Sequence, residues 1–332
     1  MNFGILIGLF GLSFLMTYVV RKFALKYSIM DKPNDRSSHA VPIPRGGGVA
    51  VVISWFIGIT YFFWKNLISA DLFFALLSGI PLVIIGFLDD IVSIRPIIRF
   101  FTQLIVASLA IYFLGGERII DFGFFKLTNV WLFTPLALIG VIWFTNLFNF
   151  LDGIDGYIGS EVVYIGAASY LLFANTLGLL LVAVTLGFLV WNWQKAKIFM
   201  GDVGSTLLGF TIAVIVIYYQ NNLISSLPVW LILTSLFWVD ATVTLFRRIK
   251  NKEDLSHAHR KHAYQRIVQA GFSHQKTVIW ALALNIVGFG LAWLATEFKT
   301  YALAFLVIDL LLLFLVLKWI DKKKPFEYKL QY

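Results

Sequence analysis

Residues 1–20, MNFGILIGLFGLSFLMTYVV, form an apolar run that contains no charged residue. A run of about 20 apolar residues has the length that an α-helix needs to cross the hydrocarbon core of a bilayer. No basic residue precedes the run, whereas Arg21, Lys22 and Lys26 follow it. A cleaved signal peptide has the opposite charge order, so this stretch predicts a first membrane span with its N-terminus outside the cell.

The composition of the whole chain extends this interpretation. The 332 residues are 59% hydrophobic and only 14% charged, and the mean hydropathy is +0.83. Soluble domains contain about 45–50% apolar and about 25% charged residues, which excludes a water-soluble globule and a disordered chain. Cysteine is absent, so the sequence offers no disulfide, no thiolate metal site and no cysteine nucleophile.

Further apolar runs, separated by charges, Pro and Gly, predict an all-α polytopic membrane protein with about 11 (10–11) transmembrane helices in one domain, 1–332. The loop 115–131 alternates enough to predict a small β-hairpin. The predicted spans are 3–20, 49–64, 72–88, 97–114, 130–146, 160–174, 177–193, 205–219, 228–246, 277–295 and 300–320.

The distribution of basic residues predicts the orientation. Of the 27 Lys and Arg residues, 23 lie in segments that follow odd-numbered spans. Because cytoplasmic loops carry the excess of Lys and Arg, the N-terminus is expected outside and the C-terminus in the cytoplasm. The net charge of +9 is then a topology signal that favours anionic lipid head groups, and nucleic acid is not expected as a partner.

The residues that could do chemistry gather in five predicted cytoplasmic segments. All five histidines and most of the carboxylates are on that side. The segments are DKPNDRSSHAVPIPRGGG (31–48), GFLDDIVSIRP (86–96), NLFNFLDGIDG (146–156), KIFMGDVGSTLLGF (197–210) and RRIKNKEDLSHAHRKHAYQR (247–266).

The first two segments suggest a phosphate site beside an acidic pair. Exposed backbone N–H groups at the Gly-rich start of the second span, with His39 and Arg45 beside them, would suit phosphate; a solvated basic loop is the alternative. Asp89 and Asp90 are adjacent where the third span leaves the membrane. Two neighbouring carboxylates repel each other unless a cation or basic group lies between them; two solvated helix-end acids are the alternative.

The third and fourth segments supply oxygen ligands. Asn146, Asn149 and Asp152 recur at intervals of three, which would place them on one helical face, and Asp155 follows. Such oxygens are hard ligands suited to Mg²⁺, although they could simply cap a helix end. Asp202 precedes an apolar span that Ser205 could cap, which is also an ordinary place for an acid.

The last segment is strongly cationic. His257, His259 and His262 could bind a transition metal, or they could hold a pyrophosphate while basic side chains neutralise it. A positive-inside loop explains Lys and Arg but not three histidines within six positions. Together the five segments predict Mg²⁺-dependent phosphoryl or phospho-sugar transfer to a membrane-embedded acceptor. Asp240 is expected to border the same site, whereas Asp309 has no assigned role.

The order of these motifs resembles the polyprenyl-phosphate N-acetylhexosamine-1-phosphate transferases of glycosyltransferase family 4, over residues 31–274. The resemblance implies a multi-pass enzyme of the bacterial cytoplasmic membrane, with its active site facing the cytoplasm. It also implies a reaction in which undecaprenyl phosphate and a UDP-N-acetyl sugar give undecaprenyl-diphospho-sugar and UMP. Direct attack by the acceptor is favoured over a covalent phospho-enzyme, and family precedent favours a homodimer.

Matching the motifs residue by residue implies a role for each position. Asn149 and Asp202 would bind Mg²⁺, for which Mn²⁺ would substitute. Asp89 and Asp90 would form the essential acidic pair. The other residues implied in catalysis are Asp152, Asp155, His257, His259 and His262. The residues expected to bind substrate are His39, Arg45, Asn146, Arg260 and Arg266.

The spacing HxHxxHxYQ of the last loop differs from the three consecutive histidines of the muramoyl-pentapeptide enzymes. It most resembles enzymes that initiate O-antigen from UDP-GlcNAc or a 6-deoxy derivative such as UDP-FucNAc or UDP-QuiNAc. The alternatives are a phospho-N-acetylmuramoyl-pentapeptide transferase and a teichoic-acid-linkage transferase. A transporter is a distant alternative, because no internal repeat is evident and nearly all the acids lie at one interface. A di-iron oxidase would need several histidine clusters, and the D-G-x-x-A-R pattern of CDP-alcohol phosphatidyltransferases is missing.

Overall fold

The computed structural model describes residues 3–31, 33, 41–116, 119–255 and 259–326. His39 and His257 therefore lie outside the described residues. The helices found there are α1 Phe3–Lys26, α2 Gly48–Trp64, α3 Ala70–Leu77, α4 Ile80–Ile91, α5 Pro96–Phe113, α6 Val130–Phe150, α7 Tyr157–Phe173, α8 Thr176–Asn192, α9 Asp202–Asn221, α10 Leu227–Leu233, α11 Ser235–Lys250, α12 Ala263–Gln269, α13 His274–Glu297 and α14 Ala302–Lys323. The short strands are β1 Met30–Asp31, β2 Ile43–Pro44, β3 Ile119–Asp121 and β4 Lys126–Thr128.

Every predicted span coincides with helix, so the helical, polytopic character is confirmed. Within the described residues, seven helices are long and apolar enough to cross a membrane, counting α3 and α4 as one stretch. An eighth span results if α10 and α11, which meet at 81°, are counted as one. The apolar helices α2, α7 and α8 are shorter, with 17 residues each. The count of about eleven crossings and their orientation stay predictions.

The predicted hairpin in 115–131 is confirmed. Strands β3 and β4 pair antiparallel, with Ile119 opposite Thr128. Asp121 accepts a hydrogen bond from the backbone N–H of Gly123 at 2.7 Å, which closes the turn. The N–H of Asp121 donates to the side chain of Gln220 at 3.1 Å, so the hairpin is attached to the end of α9.

Helix α9 is the centre of the molecule. Of its most apolar stretch, 78% of the residues are buried, whereas 17% are buried in the corresponding stretch of α1. Two glycines allow neighbouring helices to approach its first turn closely. A Cβ at Gly48 of α2 would lie 2.6 Å from the Cα of Gly204, and a Cβ at Gly86 of α4 would lie 2.7 Å from the Cα of Val203. The start of α2 and the end of α4 therefore meet at the residue with which α9 begins, Asp202.

Candidate active site

The loop that precedes α2 lies along the segment that precedes α9. The N–H of Phe199 donates to the carbonyl of Pro44, and the N–H of Gly47 donates to the carbonyl of Phe199, both at 2.8 Å. The N–H of Gly48 continues the series by donating to the carbonyl of Met200 at 2.8 Å. This short ladder brings two segments about 150 positions apart together and places Arg45 beside Asp202.

The ladder corrects the expectation that this Gly-rich helix start exposes its backbone to phosphate. Gly47 and Gly48 are buried, and their N–H groups already donate to protein carbonyls. A Cβ at Gly47 would lie 2.6 Å from the ring of Phe188. Glycine is therefore needed at Gly47 and Gly48 for close backbone packing, and the N–H groups of neither residue are available to an anion.

Three carboxylates converge where α4 ends and α9 begins. Asp89 and Asp90 are at the end of α4, and Asp202 is the first residue of α9. The N–H of Asp202 donates to Oδ1 of Asp90 at 2.9 Å. The preceding Gly201 has a φ of +79°, a conformation that glycine adopts without steric cost. The side chain of Asp90 is only 3% exposed, whereas that of Asp202 is 16% exposed.

Two arginines neutralise these carboxylates. Arg45 reaches Asp90 through Nε at 2.8 Å and Asp202 through Nη2 at 2.5 Å. Arg99, in the first turn of α5, contacts Asp89 at 2.8 Å and Asp202 at 3.5 Å. Although burial lowers the pKa of Arg45, the carboxylates of Asp90 and Asp202 raise it by more, so the net shift is upward. The sequence predicted Arg45 but not Arg99, whose one signal was a basic residue ten positions after Asp89.

The end of α6 adds two amides. Asn149 donates to the hydroxyl of Ser205 at 3.2 Å. Ser205 in turn donates to the carbonyl of Gly201, so it does not cap α9 as expected. Asn146 forms a reciprocal pair with Gln103 of α5, at 2.7 and 3.2 Å. The amide of Asn146 is thus hydrogen-bonded to α5. The substrate contact inferred for Asn146 stays a prediction.

The donor chemistry of this cluster suits a hard cation. Oδ2 of Asp90 is buried and has no hydrogen-bond partner among the described residues, and Asn149 lies next to the carboxylate of Asp202. Among the described residues, no group of three or more His, Asp or Glu side chains is arranged to hold a metal ion. A cation here would therefore take carboxylate and amide oxygens together, which are ligands that Mg²⁺ accepts.

Asp152 and Asp155 follow the end of α6 but have different surroundings. Burial, together with the charge of Asp202, raises the pKa of the Asp152 carboxyl to about 7. Asp155 accepts a hydrogen bond from the N–H of Ala196 at 3.1 Å and lies 3.4 Å from the ring of His274. The Asp152 carboxyl therefore interacts electrostatically with the carboxylate of Asp202. Asp155 instead binds the backbone of the loop that precedes α9.

The fifth segment, 247–266, reaches the site at the start of α12. The buried carboxylate of Asp240 accepts the N–H of Ala263 at 2.8 Å and lies 3.5 Å from Nδ1 of His262. The hydroxyl of Tyr264 donates to the carbonyl of Phe150 at 3.2 Å, and the rings of Phe150 and His262 are 6.5 Å apart. Phe150 also lines a cavity of about 40 Å³ with Asp89, Arg99, Asn149 and Asp202. Phe150 thus lies between His262 and the carboxylates.

His259 is 4.9 Å from His262, measured between ring centroids. Burial, followed by the charges of His262 and Arg248, lowers the pKa of His259 to about 3, so its ring is neutral at physiological pH. Because His257 lies outside the described residues, the role of the three histidines stays a prediction. Sequence reasoning placed Asp240 at the border of this site but did not single out Tyr264.

The two predicted arginines of this segment are placed differently. Arg260 is half-buried, and its carbonyl accepts a hydrogen bond from Gln269 at 2.7 Å. Arg266 is 3% exposed and forms an ion pair with Asp321 of α14 at 2.5 Å. Arg266 is thus held against α14, and its inferred contact with substrate stays a prediction.

Comparisons with known proteins give a consistent result. The profile of glycosyl transferase family 4 matches residues 72–220. The chain is 28% identical to a probable undecaprenyl-phosphate N-acetylglucosaminyl 1-phosphate transferase of Bacillus subtilis, over 91% of this chain and 86% of that protein. It is 32% and 31% identical to the undecaprenyl-phosphate alpha-N-acetylglucosaminyl 1-phosphate transferases of Yersinia pestis and Escherichia coli K12. Each of these two matches covers 85% of this chain and 81% of the relative.

Proposed function

This chain belongs to glycosyl transferase family 4, and on that premise we propose that it transfers an N-acetyl-sugar 1-phosphate from a UDP-sugar to undecaprenyl phosphate. The products are undecaprenyl-diphospho-sugar and UMP. The observation that carries the proposal is the cluster of Asp89, Asp90 and Asp202 with Arg45 and Arg99. It joins four separate segments at one place, with charges of both signs that suit a cation and a diphosphate.

The proposed chemistry needs little acid–base help. An oxygen of the lipid phosphate attacks the phosphorus that carries the sugar, and the bond from that phosphorus to the phosphate oxygen of UMP breaks. The acceptor phosphate has a second pKa of about 6, so it is largely ionised at neutral pH. The main barrier is the repulsion between two anions, which Arg45 and Arg99 lower by pairing with phosphate oxygens. Neutral His259 would contribute a hydrogen bond rather than a charge.

The proposal includes Mg²⁺ as the cofactor. Asp202 and Asn149 would bind it, and Asp89 and Asp90 would complete the negative surroundings. When bound, the ion supplies charge neutralisation at the diphosphate, and Mn²⁺ would substitute for it. Asp152, whose pKa is about 7, would ionise more fully near such a cation.

UDP-GlcNAc is the first donor to test, since the named relatives are N-acetylglucosaminyl 1-phosphate transferases. The last-loop spacing keeps the 6-deoxy sugars of UDP-FucNAc and UDP-QuiNAc as further candidates. In either case the product would initiate O-antigen or another envelope polysaccharide. The active site would face the cytoplasm, where UDP-sugars are made.

The test is UMP release by the purified protein in detergent, with undecaprenyl phosphate, Mg²⁺ and a panel of UDP-sugars. We expect release that needs both the lipid and the cation. Asp202→Asn keeps the shape of the side chain but removes its charge, so activity should fall by at least about 100-fold. The matched control is Asp71→Asn, because Asp71 is exposed in the first turn of α3; its activity should be unchanged. Equal activity of Asp202→Asn and the wild type would contradict the assigned site.

A further inference from the structure

Beyond the end of α14 the chain buries one aromatic ring against α11, α12 and the loop before α12. Phe326 is only 5% exposed. Its ring centroid lies 5.3 Å from the guanidinium carbon of Arg247, 5.3 Å from Nζ of Lys261 and 5.6 Å from the guanidinium carbon of Arg266. Each distance is within the range of a cation–π interaction. One ring therefore contacts three cations that come from the end of α11, the loop and α12.

Asp321, in the last turn of α14, contacts two of the same cations. Both of its carboxylate oxygens accept hydrogen bonds from Arg247, at 2.9 and 2.8 Å. Arg266 donates to Asp321 at 2.5 Å and to the carbonyl of Lys324 at 3.0 Å. The bidentate contact fixes both the orientation and the distance of the Arg247 guanidinium relative to the Asp321 carboxylate. The end of α14 therefore has a defined position relative to α11 and α12.

The third cation connects this arrangement to the histidine loop. Nζ of Lys261 lies 2.8 Å from Glu253, which also contacts Nε of Arg248 at 3.3 Å. The side chains of Glu253 and Arg248 are each only 6% exposed. Lys261 stands between His259 and His262, so a contact that fixes Lys261 also fixes the backbone that carries both rings. Asp240 also holds this backbone, because it accepts a hydrogen bond from the N–H of Ala263.

We infer that Phe326 is a positioning residue, which holds residues 259–266 in place and with them the rings of His259 and His262. The inference rests on the proposed function for its effect on the reaction, but its effect on the loop is independent of that function. Phe326 lies about 100 positions beyond the matched profile, which ends at residue 220. Its role follows from the burial of the ring and its three cationic neighbours.

The loop is tested by limited trypsin digestion, since segment 247–266 contains many Lys and Arg residues. Phe326→Ala removes the ring, and cleavage between residues 247 and 266 should become about tenfold faster. Phe326→Tyr keeps a ring face and should resemble the wild type. The matched control is Phe314→Ala, because Phe314 is an exposed aromatic residue of α14 with one lysine over its ring at 4.7 Å.

The effect on the reaction is tested with the same variants. In Phe326→Ala the KM for the UDP-sugar should rise by about tenfold, while the KM for undecaprenyl phosphate stays within about twofold. A general loss of structure would change both KM values. Phe326→Tyr, which keeps the ring face, should retain the wild-type value of each. Where Phe326→Ala fails to fold, Phe326→Leu keeps an apolar side chain without the ring and is measured instead.

Unchanged trypsin cleavage in the Ala or Leu variant would overturn the inference, whatever the kinetics. Faster cleavage with an unchanged donor KM would also overturn it, because the loop would then be loose without consequence for the site. Absence of transferase activity in the wild type would instead refute the proposed function, and the cleavage result would still decide whether Phe326 holds the loop.

Discussion

At the scale of single residues, the site is built from charges that already have partners. Arg45 contacts Asp90 and Asp202, and Arg99 contacts Asp89 and Asp202. The acids were predictable from sequence, because two adjacent carboxylates at a span end need a partner. The identity of that partner was only half predictable. Arg99 is 103 positions from Asp202 and is brought to it by the packing of α5 beside α4 and α9, which no local pattern encodes.

His259 provides a prediction on pH. Its pKa in the folded protein is lowered to about 3, whereas the unfolded chain has the ordinary value of about 6.5. Between these values the unfolded state binds more protons, so the free energy of unfolding is highest above about pH 6.5 and falls as the pH falls. The Tm of the wild type should therefore drop more between pH 7 and pH 5 than that of His259→Gln.

Differential scanning of tryptophan fluorescence in detergent measures both Tm values. His274→Gln is the comparison, because His274 lies near Asp155 outside the last loop and tests whether any histidine would have the same effect. Parallel pH curves for the wild type and His259→Gln would contradict the half-buried, neutral state of His259.

At the scale of elements, the helices were predictable and their breaks were not. A run of about 20 apolar residues predicts a helix regardless of its neighbours, so each predicted segment coincides with helix, while the count of crossings stays a prediction. The 81° bend between α10 and α11 falls at Thr234, inside a run without Gly or Pro at that point. Mean hydropathy is averaged over a whole apolar run and does not detect a bend within it. The bend depends on the residues that pack against α10 and against α11. Packing also explains the wrong prediction of a phosphate site at the start of α2, where Gly47 lies against Phe188 and Gly48 against Gly204.

The contact between α2 and α9 gives a prediction at this scale. In Gly48→Ala the added Cβ would lie 2.6 Å from backbone atoms of Gly204, so the two helices would have to separate. Overpacking of this kind costs about 1–3 kcal/mol, and Arg45 would shift away from Asp202. Both the Tm and the transfer rate should fall.

The control for this variant is Gly8→Ala, because a Cβ at Gly8 of α1 meets no atom within 4 Å. Its Tm should be unchanged or slightly higher, since Ala is favoured over Gly inside a helix by about 0.5–1 kcal/mol. Equal behaviour of the two variants in a thermal melt would contradict the close approach of α2 and α9.

At the scale of the whole molecule, the arrangement of basic residues predicts which end of the bundle faces the cytoplasm. The chain contains no cysteine, so single cysteines can be introduced without background. Lys126 of β4 and Lys250 at the end of α11 are both exposed and are predicted on opposite sides. In intact cells, a membrane-impermeant maleimide should label Lys126→Cys and spare Lys250→Cys.

Permeabilised cells should label both cysteines, which shows that each is reachable. Labelling of Lys250→Cys in intact cells would reverse the proposed orientation and would place the carboxylate cluster on the wrong side for a UDP-sugar. The helices alone are compatible with two orientations of the bundle in the membrane, and the excess of Lys and Arg in the loops predicts which of the two is adopted.

The mutual neutralisation of Arg45, Arg99 and the three carboxylates has a consequence for how ligands bind. On the proposed function, a phosphate that pairs with either arginine would share that guanidinium with the carboxylates, which would then attract a divalent cation more strongly. The anion and the cation therefore favour each other's binding, and by linkage the effect is the same in both directions. Neither ligand alone gains the full attraction that its charge would suggest. The ion pairs would therefore disfavour either ligand alone and favour the binding of both together.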